Sequence, residues 1–281
     1  MKRIGIIPNS GKDIGLKNTK RVIEYLSGKA DIYMIKDYST LGQQVHYVDM
    51  EDFYQRIDTA IVLGGDGTII QIATNCAKHN ISVLGINLGT IGFMTEVEID
   101  NINESLEKML NDDYKIEKRM LLKSEIFKNG VLQSVQHALN DVVISKTIGE
   151  KLIGIELYTN GELVNKYTAD GLIIATPTGS TGYSISAGGP VVDPIMQLYI
   201  ATPICAHMLS VRSAILSADK EIEIRLNSRA TDNDALVTSD GDVQGYVCDK
   251  DKIRITKSKY TFNLIKTGTQ SFYDTLLSKL S

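Results

Sequence analysis

The chain has 281 residues, 43% hydrophobic and 23% charged, with 30 Lys and Arg against 34 Asp and Glu and a formal net charge of −4. That length suggests roughly two domains and burial of about three-quarters of the unfolded surface, which excludes wholesale disorder. The acidic balance argues against a protein dominated by nucleic-acid backbone contacts. Three widely separated cysteines, Cys76, Cys205 and Cys248, make neither a disulfide scaffold nor a zinc spacing.

In chain order, Lys2 to Ile7 reads as a buried strand ended by Pro8. The apolar run is too short for a signal peptide. No window approaches the roughly eighteen apolar residues of a membrane helix, so no membrane partner is expected and the cytoplasm is the expected location. Asn18 to Ser27 has helical spacing, with Val22, Ile23 and Leu26 on one face. Ile32–Ile35 could be the next strand. The apolar run Thr59–Leu63 ends in Gly64-Gly65-Asp66-Gly67, a helix is expected from Thr68 to about Lys78, and Ser82–Ile86 is another short buried strand. Such alternation predicts a parallel sheet covered by helices.

Asp100 to Leu110 reads as a helix with Ile102, Leu106, Met109 and Leu110 on one side and Asp100 or Asn101 as its cap. The period then changes. Asn129-Gly130 and Asn160-Gly161 are two-residue hairpin signals. Ile153, Ile155 and Leu157, then Ile222, Ile224 and Leu226, then Tyr260, Phe262 and Leu264 alternate along strands. Residues from about 119 to 267 therefore predict an antiparallel β domain. The tail returns to helical spacing from Ser271 to Leu280, with Phe272, Leu276, Leu277 and Leu280 on one side. The one close Cys/His pair, Cys205 and His207, is read as core packing rather than metal ligation.

Three segments stand out chemically. Gly64-Gly65-Asp66-Gly67-Thr68 lies between an apolar strand and a helix start. Its glycines let backbone N–H groups approach a phosphate, the helix N-terminus favours an anion, and Asp66 could accept a hydroxyl proton; a tight turn with Asp66 as a cap uses the same residues. Thr176 to Pro190 is uncharged and rich in hydroxyls and glycine. It follows a buried strand inside the β domain, which favours a ligand loop for a polar, neutral group over a linker. Asn140-Asp141 leads into an apolar strand; alone it reads as an ordinary turn. P-loop, GxGxxG, GxSxG and HExxH patterns are absent.

Together these segments resemble the NAD kinases. The resemblance rests on Gly64–Thr68, Asn87-Leu88-Gly89-Thr90-Ile91-Gly92-Phe93, Asn140-Asp141, Asp170-Gly171, Thr176-Pro177-Thr178-Gly179-Ser180-Thr181-Gly182-Tyr183-Ser184 and Ser186-Ala187-Gly188-Gly189-Pro190, in that order. It implies an α/β plus all-β chain. An N-terminal Rossmann-like α/β domain with the GGDG loop (1–98) and a C-terminal β-sandwich binding NAD (99–267) precede a C-terminal helix (268–281) that packs back on the first domain.

The reaction implied is transfer of a phosphate from ATP, or polyphosphate in some members, to the 2′-hydroxyl of the adenosine ribose of NAD, with Mg²⁺ or a similar cation. Homodimers or homotetramers are usual. Position by position, Asp66 matches the catalytic aspartate. Gly64, Gly65, Gly67 and Thr68 match the donor-phosphate cradle. Phe93 matches an adenosine-contacting aromatic, and Asn140 and Asp141 a pair that binds adenine and ribose. Asp170, Thr178, Thr181, Gly182, Tyr183 and Ser186 match positions around the base and the nicotinamide end, and Lys151 a basic ligand contact. No protein metal site is expected. Asp141 stands where many relatives carry Glu, and Gly182 where Ala is common. A lipid kinase of the diacylglycerol type shares the GGDGT loop, but it would need an apolar entry or a basic membrane-facing patch. A non-catalytic NAD(H) sensor would not need Asp66.

Overall fold

The structure is a computed structural model that describes residues 1–39, 41–95, 97–147, 149, 151–207, 212–227, 235–268 and 270–280, apart from the side chain of residue 280. The chain divides into two compact units, Met1–Arg119 with Tyr260–Ser281, and Met120–Lys259.

The first unit contains β1 (Lys2–Pro8), α1 (Lys17–Leu26), β2 (Ala30–Ile35), β3 (Val45–Val48), α2 (Met50–Arg56), β4 (Thr59–Gly64), α3 (Asp66–Lys78), β5 (Ser82–Asn87) and α4 (Ile102–Leu110). The strands run parallel in the order β5-β4-β1-β2-β3. Beyond β5 the end of the strand Lys252–Lys266 adds a parallel pairing through Asn263 and Leu264. Residues Ala60 to Leu63 of β4 are completely buried, which explains their unbroken apolar run: a parallel strand covered on both faces has no polar side.

Several boundaries differ from the sequence expectation. The structure adds β3 and α2, for which no expectation was stated, and α3 begins at Asp66 rather than Thr68. A 3₁₀ turn over Ile99–Asn101 precedes α4, and neither Asp100 nor Asn101 caps it through its side chain. The first unit runs to residue 119, not 98. The reason is packing: Ile102, Leu106 and Met109 of α4 are buried with Ile4, Ile23 and Ile32 in one core. It also takes the chain back from residue 260 rather than 268, because Ile265 joins that same core.

The second unit holds β6 (Lys115–Lys128, entering from the first unit), β7 (Val131–Ala138), β8 (Asp141–Lys146), β9 (Ile153–Thr159), β10 (Glu162–Ala169), β11 (Gly171–Ala175), the short α5 (Tyr183–Ser186), β12 (Leu198–Ile204), β13 (Ala214–Ser217), β14 (Ile222–Leu226), β15 (Ala235–Ser239), β16 (Asp242–Val247) and the first part of β17 (Lys252–Lys266). One antiparallel sheet has the order β13-β12-β11-β8-β15-β16. Facing it, β10, β9, β14 and β17 pair antiparallel. Val142, Ile144, Leu172 and Ile174 from the first sheet share a core with Ile155, Leu157, Ile222, Ile224 and Ile253 from the second, so the unit is a β-sandwich. Asn129-Gly130 and Asn160-Gly161 turn with positive φ at both residues, 50° and 78°, and 48° and 83°, as two-residue hairpin loops demand.

Cys205 and His207 are exposed at the end of β12, not core residues. The tail helix α6 (Phe272–Leu280) belongs to the first unit. It turns Phe272, Thr275 and Leu276 inward, which leaves Leu277 70% exposed, contrary to its expected place on the packed side; the expected place of Leu280 falls outside the described side chains. No described helix is long and apolar enough to cross a membrane.

The sandwich core makes a direct prediction. Leu157→Ala, at a fully buried position, lowers unfolding stability by about 2–5 kcal/mol. Leu163→Ala, on an exposed position of β10, changes it by about 0.5 kcal/mol or less. Urea unfolding of both variants checks this, and equal effects would overturn the assignment of the core.

Candidate active site

The parallel sheet reverses direction of growth between β1 and β4, the place where open α/β sheets open a ligand crevice beyond their carboxyl ends. Gly64 ends β4 there and Asp66 opens α3. Asp66 does not cap its own helix. Its Oδ2 accepts the Phe93 N–H at 2.8 Å, and its Oδ1 accepts the N–H of Met94, the N–H of Thr95 and the Thr95 hydroxyl, each at 3.1 Å. Gly92 permits this: a Cβ on it would collide with the Asp66 carboxylate. Asn87 shapes the approach, since its Oδ1 accepts the Gly89 N–H at 2.6 Å and its Nδ2 donates to the Thr90 carbonyl at 2.7 Å.

Within the glycine loop the roles divide. The Thr68 N–H already bonds the Gly65 carbonyl, and its hydroxyl accepts from Asn9 Nδ2 at 3.0 Å. Donors for an anion are therefore those of Asp66 and Gly67, the first residues of a helix whose opening N–H groups have no intrahelical partner. Phe93 lies 5.5 Å from the ring of Phe272 in α6, with Lys279 Nζ 5.5 Å from its centroid.

In the second unit, Asn140 precedes β8 and Asp141 opens it, and the loop after β11 folds against them. Thr176 donates its N–H to the Asn140 carbonyl at 2.8 Å and its hydroxyl to the Leu139 carbonyl at 2.6 Å, and that hydroxyl accepts the Gly179 N–H. A Cβ on Gly179 would strike the Asn140 carbonyl, and one on Gly182 would lie 3.4 Å from Asn140 Nδ2 and 3.9 Å from Asp141 Oδ2. The run is thus a packed loop with Thr178, Gly179, Ser180 and Ser184 buried, not a linker. Asn140 Oδ1 is buried without a hydrogen-bond partner among the described residues, an acceptor ready for a ligand donor. Thr181 bonds the Thr178 carbonyl at 3.3 Å, while Tyr183 and Ser186 are exposed.

Two expected residues stand apart. Asp170 pairs with Lys146 at 2.8 Å at the start of β11, a full strand away from Asn140 and Asp141, roughly 15 Å. Lys151 is exposed in the β8–β9 connection. The sequence shows Asp240-Gly241 as a match to a late Asp-Gly pair of the NAD kinases but assigns it no site role; in the structure the Asp240 carboxylate accepts the N–H groups of Leu139, Asn140 and Asp141 at 2.6, 2.7 and 3.1 Å. Asp240 and Gly241 form a two-residue hairpin turn, with φ of 51° and 89°. Thr95 and Asn9 gave no local signal.

Burial first, and then the charge of Asp240, push Asp141 up to about 7. Burial lifts Asp240 to about 6 against the pull of its three N–H donors. Between the ordinary carboxylate value of 3.8 and about 7, the folded chain keeps a proton on Asp141 that the unfolded chain has released, so stability falls as pH rises through that window. Asp141→Asn removes this pH dependence. Its melting temperature relative to the parent chain is therefore expected to rise between pH 5 and pH 8, and a pH-independent difference would refute the raised carboxyl.

The sequence model of the ATP-NAD kinase N-terminal domain matches residues 4–114, and that of the ATP-NAD kinase C-terminal domain matches residues 139–267. The chain is 41% identical to an NAD kinase of Caldanaerobacter subterraneus subsp. tengcongensis, covering 100% of this chain and 99% of that one. It is 38% identical to an NAD kinase of Lachnoclostridium phytofermentans over 99% of each. In fold it is similar to yeast NADH kinase complexed with NADH, with a TM-score of 0.88 at 23% identity over 100% of this chain and 87% of that one. It is also similar to an NAD kinase from Archaeoglobus fulgidus in complex with ATP, with a TM-score of 0.74 at 25% identity over 99% and 98%. With both domain models matched and such identity sustained along its whole length, the chain belongs to the NAD kinase family.

Proposed function

We propose that the chain transfers the terminal phosphoryl group of ATP to the 2′-hydroxyl of the adenosine ribose of NAD, giving NADP and ADP, with Asp66 as the general base. The observation that carries this reading is the way Asp66 is held. Three donors occupy Oδ1 and one occupies Oδ2. A carboxylate oxygen accepts about two hydrogen bonds, so Oδ2 keeps a lone pair for a hydroxyl proton in an orientation the protein has already fixed. Phosphoryl transfer asks chiefly for such positioning and for charge neutralisation.

The N–H groups of Asp66 and Gly67 support a role for Gly64–Thr68 in cradling donor phosphates, and linked phosphates of polyphosphate present the same groups as those of ATP. In the second unit, the unpartnered Asn140 Oδ1 and the raised carboxyl of Asp141, partly protonated near neutral pH, suit an adenosine, one accepting and one able to donate. Thr178, Thr181, Gly182, Tyr183 and Ser186 extend that surface. Asp170 belongs to the base and nicotinamide positions in this reading, and Lys151 to a basic ligand contact.

Among the described residues no three His, Cys, Asp or Glu side chains gather to hold a metal. A divalent cation such as Mg²⁺ fits here as one carried by the donor phosphates, the usual habit of that ion, and when bound it neutralises phosphate charge. A homodimer or homotetramer in the cytoplasm completes the reading. Exposed Val131, Leu132, Ile215 and Tyr246 on the second unit offer apolar surface for self-association, and sedimentation as a monomer would count against it.

Asp66→Asn tests the base. The variant is expected to bind NAD and ATP and to form NADP about 10²–10⁴ times more slowly. Its amide nitrogen must face the Phe93 N–H, so a modest loss of melting temperature is expected too. NADP formation at the parent rate, followed with an NADP-specific dehydrogenase, would overturn the assignment.

A further inference from the structure

The loop after β1 lies against the glycine loop. Asn9 donates its N–H to the Leu63 carbonyl at 2.8 Å and its side-chain amide to the Thr68 hydroxyl. It then closes a turn by accepting the Lys12 N–H on its own carbonyl at 3.0 Å and on its Oδ1 at 3.2 Å. Asp13, almost fully buried, fixes the far side: its carboxylate accepts the N–H and side-chain donors of Asn18 and Thr19 at 2.6–3.1 Å. Between these anchors Lys12 is exposed, and no ion pair holds it among the described residues. Its Nζ lies 2.8 Å from where a Cβ on Gly65 would stand. Gly65 has extended backbone that any residue adopts, φ −134° and ψ −176°. What its missing side chain leaves is room over the loop, and Lys12 Nζ reaches into that room.

A cation beside a helix N-terminus is a repulsive arrangement. It becomes favourable when an anion lies between the two and takes hydrogen bonds from both. We infer that Lys12 contacts the linked phosphates of the donor from the side opposite the Asp66 and Gly67 N–H groups, so that the β1 loop and the glycine loop together form the donor-phosphate site. The inference rests on the kinase reading above and adds to it a residue from a segment that no site motif marked.

The test compares Lys12→Met, which keeps the length and loses the charge, with Lys12→Arg. Binding of ATP and of inorganic tripolyphosphate is read by calorimetry, and KM for ATP and for NAD by NADP formation. Lys12→Met is expected to weaken binding of both phosphate probes and to raise KM for ATP about tenfold or more, with KM for NAD and the melting temperature unchanged. Lys12→Arg is expected to recover most of the loss. Unaltered affinity for both probes in Lys12→Met would overturn the inference, as would a loss confined to NAD or an equal loss in both variants with a lower melting temperature. If the parent chain forms no NADP yet binds tripolyphosphate in a Lys12-dependent way, the kinase reading fails and the phosphate contact stands.

Discussion

The carboxylate of Asp66 is the constraint on which the first unit's loops depend. It sits at the end of β4, yet all four of its hydrogen bonds come from residues 93 to 95, beyond β5. Two consequences follow. The loop after β5 must carry glycine at position 92, since any side chain there would displace the carboxylate. The carboxylate, in turn, has one orientation, so the lone pair left on it points one way. Motifs that look separate in the sequence, Gly64–Thr68 and Asn87–Phe93, are two sides of one hydrogen-bonded unit.

The same device recurs. Asp13 gathers the donors of Asn18 and Thr19, and Asp240 gathers three successive N–H groups from Leu139 to Asp141. In each case a short side chain satisfies amides at the start of a helix or strand that regular structure leaves unpaired, which fixes the adjoining backbone. The balance of forces differs between them. At Asp13 burial raises the carboxyl, but the donors outweigh it and hold it below the usual range. At Asp240 burial wins, with Asp242 adding repulsion. Its neighbour Asp141 has no comparable donors and is pushed further up. Two nearby carboxylates in a dry place share their protons, and near neutral pH the pair presents both an acceptor and a donor.

Much of the architecture was legible locally. The apolar run Thr59–Leu63, the alternation of Ile153, Ile155 and Leu157, and the Asn-Gly turns each express a backbone preference within a few residues, and the strands and hairpins stand where those preferences put them. Where packing decided, sequence reading faltered. The helix Ile102–Leu110 was recognised, but its membership in the first unit depends on which core its apolar face finds. Leu277 had the spacing of a packed residue, yet Phe272, Thr275 and Leu276 anchor the helix and turn it outward.

Hydrophobic period, turn residues and glycine-rich loops act over short stretches of chain, so the two kinds of domain and many of their elements were legible without the fold. Tertiary structure alone decided how the site residues are held. Asp66 is fixed by amides nearly thirty positions away, Asp141 is set by a carboxylate about a hundred positions away, and Lys12 lies over Gly65 only because β1 and β4 are adjacent in the sheet. Hydrogen bonds and electrostatic fields depend on distance in space. No reading of neighbours along the chain supplies that distance.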